Sequence, residues 1–109
     1  MEEELKNQIR IILRSATMVY ESKDYTSAAI LYFKVIFITL DLLLYRKRKI
    51  TPKDHTERFR MLEREFPEEY ELLDKYFQIY RDTYSLTIDA KTCEEVKNYA
   101  TKTITRVGI

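Results

Sequence analysis

The amino-acid sequence predicts an all-α protein. Apolar residues recur at intervals of three and four along almost the whole chain, which is the spacing of an α-helix, and no segment shows the alternation of a strand. One glycine and two prolines among 109 residues leave few turn formers. We expect a single domain over residues 1–109, because this length is sufficient to bury a core without disulfides or metal. The expected architecture is an up-and-down bundle of four main helices plus one short helix.

The first two helices are predicted from an apolar stripe and a capping residue. The first should run from Glu2 to Ser22. Its stripe consists of Leu5, Ile9, Ile12, Ala16 and Val19. The second should start after Asp24 as its N-cap and end near Arg48. It is apolar around most of its circumference, which is typical of a central helix or of one covered by a second subunit.

Prolines mark the third and fourth helices. Thr51 and Pro52 favour a helix start, with Thr51 as the cap and Pro52 in the first helical position. Pro67 should end or kink this short helix, because it disfavours helical geometry in the preceding residue. The fourth helix should follow directly. The inner positions are Phe59, Leu62 and Phe66 in the third helix, and Tyr70, Leu73, Phe77, Tyr80 and Tyr84 in the fourth.

The last helix is predicted from a capping box. Residues 85–91 lose the helical pattern and are expected to form a loop. Thr92 and Glu95 have the spacing at which each side chain can bond to the other's backbone N–H. Gly108 should end the helix. Its apolar stripe is Val96, Ala100, Ile104 and Val107.

Composition excludes several classes of protein. With 19 basic and 18 acidic residues the net charge is +1, which argues against a general nucleic-acid coat. One cysteine excludes an intramolecular disulfide and cysteine-rich zinc sites, and one glycine excludes the P-loop and the dinucleotide-binding loop. We expect no cofactor and no metal.

The sequence predicts a cytoplasmic protein that does not enter a membrane. The start, Met1 to Glu4, is acidic, unlike a signal peptide. The most apolar run, Ile30 to Leu44, contains Lys34 and Asp41 and is shorter than the roughly 20 residues of a membrane span. Lys34 and Asp41 share one helix face. They mark either an interface or a solvent-facing strip.

A basic run follows the second helix. Between Leu44 and Arg64 there are eight basic and three acidic residues, whereas Glu65 to Asp82 contains two basic and six acidic ones. The candidate phosphate- or RNA-binding residues in the basic part are Arg46, Lys47, Arg48, Lys49 and Lys53. The alternative is that these cations complement the helix dipole and remain solvated.

Few residues suit catalysis. His55 is the only histidine, so a catalytic triad or a histidine-rich metal site is not available. We expect His55 to be exposed in the first turn of the third helix. Cys93 is expected to be a structural thiol. The tyrosines at inner positions are expected in the core, although aromatics beside cations can also stack bases.

The segment from Ala16 to Phe33 resembles a tetratricopeptide helix hairpin, with an aromatic residue after the turn and small residues two to four positions later. It occurs once, whereas a solenoid needs about three stacked units. A protein–protein scaffold or adaptor of this hairpin type is therefore kept as an alternative function.

Four features recur in one family: Asp24 to Ala29 leading into the second helix, His55 and Phe59 in the third, Tyr80 to Tyr84 at the end of the fourth, and the helix after Thr92. With these features most of the chain, from about Ala16 to Ile104, resembles the HEPN family of small α-helical domains, which occur beside minimal nucleotidyltransferases and in RNA-cutting toxins. The resemblance implies a bundle with a short extra helix, usually dimeric. An uncovered second helix would also favour a homodimer.

Active HEPN nucleases carry Arg, a polar residue, and His five to seven positions after the Arg. Arg81 and Asp82 match the first two, but the histidine positions hold Leu86, Thr87 and Ile88. The resemblance therefore implies a non-catalytic member. The expected partners are a nucleotidyltransferase, a nucleotide or RNA, with Arg81 as a phosphate-binding candidate. A HEPN ribonuclease with a rearranged site, using His55, is the remaining alternative.

Overall fold

The computed structural model describes residues 1–109 and confirms the all-α class, since 82% of the residues are helical and no strand is present. Five helices follow one another along the chain. They are α1 (Glu2–Glu21), α2 (Tyr25–Arg48), α3 (His55–Glu65), α4 (Pro67–Asp82) and α5 (Ala90–Val107). The shortest is α3, with 11 residues.

Helix α2 forms the centre of the molecule. Twelve of its 24 residues are buried, and it packs against each of the other four helices. By length and composition α2 is also apolar enough to cross a membrane, but 67% of its most apolar window is buried inside the protein. This is the burial expected of a core helix. The cytoplasmic location stays a prediction.

Helix α2 is covered by the other helices of the same chain, so it does not offer the apolar surface expected for a homodimer. The sequence suggested that α2 has more apolar faces than one small bundle can cover, yet only Ile30 on this helix is a large exposed hydrophobic residue. The chain covers α2 with its own helices, so this premise was wrong. The homodimer itself stays a prediction.

Helix α3 begins three residues later than its predicted start after Thr51. Asp54, not Thr51, is the N-cap, and its carboxylate accepts a hydrogen bond from the Glu57 backbone N–H at 2.8 Å. Glu57 in turn accepts from the backbone N–H of Lys53 at 3.1 Å. This reciprocal pair fixes the helix start at His55 and leaves Pro52 outside the helix.

Helix α5 begins earlier than predicted. Asp89 is its N-cap and accepts from the Thr92 backbone N–H at 2.8 Å, so Thr92 lies inside the helix. The connection before it is anchored by Ile88, which is buried and donates its N–H to the Thr26 hydroxyl at 2.8 Å. The predicted stop is confirmed, because Gly108 adopts the left-handed conformation with φ 78°.

The end of α4 also differs from the prediction. The apolar seam was expected to continue to Tyr84, but the helix ends at Asp82 and Tyr84 is 76% exposed. The Tyr84 hydroxyl lies 2.9 Å from that of Tyr80. Tyr84 is thus attached to the end of the seam without being part of the core.

Candidate functional site

A groove of about 380 Å³ lies between α3 and α4, and we call it the α3–α4 groove. The two helices run antiparallel, since the start of α3 packs against the end of α4. The lining residues recur at steps of one to four along each helix, which places them on one face of each. They are His55, Thr56, Phe59, Arg60 and Glu63 from α3, and Tyr70, Asp74, Phe77 and Arg81 from α4.

Aromatic rings form the middle of the α3–α4 groove. The ring centroids of Phe59 and Phe77 are 4.9 Å apart, and those of Phe59 and Tyr70 are 6.0 Å apart, both nearly perpendicular. His55 adds an edge contact to Phe77 at 5.5 Å. Edge-to-face contacts of this kind hold the rings in fixed positions. The groove therefore has an ordered apolar wall.

Two arginines border the groove and neither forms an ion pair. The guanidinium carbon of Arg81 lies 5.5 Å from the Phe77 ring centroid, and its Nη2 donates to Gln78 Oε1 at 3.2 Å. Arg60 is exposed and makes no side-chain hydrogen bond. Asp82 does not line the groove and instead accepts from Gln78 Nε2 at 2.9 Å. Both guanidinium groups are available to an anion.

The groove is electrically polarised along its length. The end near Arg81 also holds Thr56 and the N-terminus of α3, whose backbone N–H groups carry partial positive charge. The opposite end holds Glu63, Asp74 and Tyr70. The negative charge of Glu63, followed by burial and Asp74, raises the pKa of the Tyr70 hydroxyl. The formal charges of the two arginines and the two carboxylates cancel, with Arg81 at one end, Arg60 beside Phe59 in the middle and both carboxylates at the other end.

His55 is not exposed as predicted, because it is half-buried among aromatic rings. Its ring centroid lies 4.7 Å from that of Phe37 and 5.4 Å from that of Tyr80. Burial, followed by the charge of Arg58, lowers the pKa of His55. The Arg58 guanidinium donates to His55 Nδ1 at 2.7 Å. Since arginine only donates, Nδ1 is unprotonated and the neutral ring carries its proton on Nε2.

The predicted basic run lies away from the α3–α4 groove, and much of it is engaged within the chain. Arg46 forms an ion pair with Glu2 and donates to the Val107 carbonyl. Lys47 and Arg48 both pair with Glu65, at 3.4 and 3.2 Å.

The remaining two cations of the basic run are freer. Lys49 ends α2 in the left-handed conformation, and its ammonium lies 5.5 Å from the Tyr45 ring centroid. Lys53 is exposed in the segment before α3 and forms no ion pair. Of the six predicted phosphate-binding residues, the structure places only Arg81 in the groove. The second arginine of the groove, Arg60, was not predicted, because one arginine on an exposed helix face gives no distinctive sequence signal.

The structure also shows the surroundings of Asp41, Lys34 and Cys93. Asp41 forms a double hydrogen bond with Arg58, at 2.7 and 3.0 Å, whereas Lys34 remains exposed. Cys93 is fully buried in the core. Burial raises the pKa of its thiol to about 11, so it stays protonated near neutral pH. No group of three His, Cys, Asp or Glu side chains in the chain is placed to hold a metal ion.

Comparisons with family models, curated proteins and solved structures find no match for this chain. The resemblance to the HEPN family therefore rests on the residues quoted above. In the α3–α4 groove, Arg81, the aromatic rings and the two carboxylates occupy successive parts.

Proposed function

We propose that this protein is a non-catalytic, HEPN-like binding module that holds a nucleotide in the α3–α4 groove. The observation that carries the proposal is the order of chemical groups along the groove. A cationic end with Arg81 and the start of α3 is followed by the rings of Phe59 and Phe77 and then by carboxylates. In a nucleotide the phosphate is likewise followed by the ring of the base and then by the hydrogen-bond donors on the edge of the base.

Each part of a nucleotide has a counterpart in the groove. Arginine binds phosphate oxygens through two parallel N–H groups, and a helix N-terminus adds backbone donors, so Arg81 and the start of α3 suit the phosphate. Bases stack on aromatic rings. The carboxylates of Glu63 and Asp74 accept hydrogen bonds from amino or hydroxyl groups. The volume of about 380 Å³ falls within the usual range for small-molecule sites.

The protonation of His55 supports a role in binding rather than in RNA cleavage. A general base needs an unprotonated nitrogen directed at the proton that it removes. The lone pair on Nδ1 is already engaged by Arg58, and the other nitrogen carries the proton. His55 thus offers a hydrogen-bond donor without offering a base, although it lines the same groove as Arg81.

The same groove suits one nucleotide of an RNA strand. Lys49 and Lys53, the free cations of the basic run, would then add attraction for neighbouring phosphates. A homodimer and a nucleotidyltransferase partner, which the HEPN resemblance implies, remain part of the proposal. Neither is needed to complete the groove, because one chain supplies all of its lining residues.

The proposal is tested by calorimetric titration of the protein with AMP, ATP and inorganic phosphate at two salt concentrations. We expect AMP and ATP to bind more tightly than phosphate, and ATP binding to weaken as salt rises. Arg81→Gln should weaken nucleotide binding about tenfold, since a hydrogen bond to a charged group is lost. Arg10→Gln is the matched control, because Arg10 is an exposed arginine on α1 outside the groove.

Two results would overturn the proposal. One is an absence of binding of either nucleotide at millimolar concentration. The other is binding that Arg81→Gln and Arg10→Gln change equally. A short single-stranded RNA is titrated in parallel. If it binds through the groove, Arg81→Gln weakens it as well, whereas Arg10→Gln does not.

A further inference from the structure

A second cavity, of about 320 Å³, lies where α1, α2, α3 and α4 meet. His55 contributes to its wall as well as to that of the α3–α4 groove. Its polar lining includes Gln8, Lys34, Asp41, Arg58 and Tyr80, and its apolar lining includes Leu5. Apart from His55, none of the residues that line this four-helix cavity belongs to the proposed nucleotide site.

A buried ion pair forms one wall of the four-helix cavity. The Arg58 residue is 8% exposed, and its guanidinium binds both carboxylate oxygens of Asp41. The same guanidinium lies 5.0 Å from the Phe37 ring centroid and donates to His55. These contacts fix Arg58 in place, and Asp41 compensates its charge. Some N–H groups of the Arg58 guanidinium form no hydrogen bond within the chain.

Lys34 supplies an uncompensated positive charge to the same cavity. It lies two turns before Asp41 on α2, is exposed, and forms no ion pair or side-chain hydrogen bond. The other titratable groups do not offset its charge. His55 is neutral near pH 7, because burial and Arg58 lower its pKa, and burial raises the pKa of Tyr80 to about 12. The cavity therefore carries a net charge of about +1 on these groups.

We propose that the four-helix cavity binds the carboxylate of a small monocarboxylic acid that carries an apolar chain. The Lys34 ammonium pairs with the carboxylate, and the amide of Gln8, which lines the same cavity, donates a hydrogen bond to it. The apolar chain packs against Leu5 and Ile38. A single negative charge balances the net charge of about +1, whereas a phosphate dianion would leave the cavity with an uncompensated negative charge.

The test is calorimetric titration of the full chain with hexanoate, with its neutral counterpart hexanamide and with inorganic phosphate. We expect hexanoate to bind at least about tenfold more tightly than hexanamide, because only the carboxylate forms a charge-assisted bond. Lys34→Gln should remove this preference. Lys91→Gln is the matched control, since Lys91 is an exposed lysine outside every cavity of the chain.

Lys34 is exposed, so its replacement leaves the core intact, and thermal unfolding of Lys34→Gln checks this directly. Equal binding of hexanoate and hexanamide overturns the proposal, as does hexanoate binding that Lys34→Gln leaves unchanged. Phosphate that binds more tightly than hexanoate and is lost in Lys34→Gln also overturns it. Arg81→Gln should leave hexanoate binding unchanged, which separates this site from the α3–α4 groove.

Discussion

The imidazole of His55 is held neutral by its surroundings. Burial and the adjacent Arg58 charge lower its pKa from the usual 6.5. Between the folded pKa and 6.5 the unfolded chain binds more protons, so the free energy of unfolding should rise with pH across this interval and level off above it.

An NMR titration of the His55 ring signals measures this pKa, and we expect a value below 6.5. The free energy of unfolding of the wild-type chain should rise with pH up to about 6.5, and His55→Gln should remove this rise. A measured pKa at or above 6.5 would contradict the described contacts with Arg58 and the aromatic rings.

For the residues Arg81 and His55, we predict no metal-independent ribonuclease activity. The motif lacks its histidine after Arg81, and the His55 ring offers no free basic nitrogen. The assay is purified protein with single-stranded RNA and a chelator. Cleavage that disappears in both Arg81→Ala and His55→Ala would show a rearranged active site and refute the prediction. Cleavage that survives both substitutions comes from a contaminant.

Individual site residues were only partly predictable. Arg81 was identified because it belongs to a recognisable sequence pattern. Arg58 was not, because its importance comes from Asp41, which lies 17 positions earlier and meets it only after folding. The exposure of His55 was misjudged for a similar reason. The first turn of a helix is usually solvated, but the rings of Phe37 and Tyr80 cover this one.

At the scale of elements, the Asp41–Arg58 pair should matter for how α3 attaches to α2. Both side chains are mostly buried. Asp41→Asn leaves a buried guanidinium without its counter-charge, and we expect a loss of about 3 kcal/mol in the free energy of unfolding. Urea denaturation followed by circular dichroism measures it.

The control for this prediction is Arg48→Gln. Arg48 pairs with Glu65 at the surface, with its side chain 53% exposed, so its replacement should cost less than about 1 kcal/mol. If Asp41→Asn were no more destabilising than this surface change, the pair would not anchor α3.

The helices themselves were predictable, but several of their ends were not. The stripes of α1 and α5 and the start of α2 follow from local periodicity and one capping residue. Asp54 and Glu57 have the spacing of a capping box, so the local sequence carried the start of α3, which was missed because Thr51 and Pro52 form a second start signal. The structure selects Asp54, whose carboxylate forms a reciprocal pair with the backbone around Glu57.

At the scale of the whole molecule, the predicted homodimer needs a surface other than α2. Ile11 and Met18 lie two turns apart on α1, and both are exposed. We expect sedimentation to give a dimer at micromolar concentration, and Met18→Asp to shift it to a monomer by placing a charge in the contact. Lys91→Gln, a change at the start of α5, should leave the dimer intact. A wild-type monomer under these conditions would refute the prediction.

The most direct test of the central claim is an NMR titration of the backbone amides with AMP. A nucleotide in the α3–α4 groove should shift the signals of Thr56, Phe77 and Arg81, and the shifts should saturate together. Signals of α5, such as those of Ala100, should stay in place. Shifts confined to the basic run at Arg46 to Lys49, or no saturable shift at all, would contradict the account.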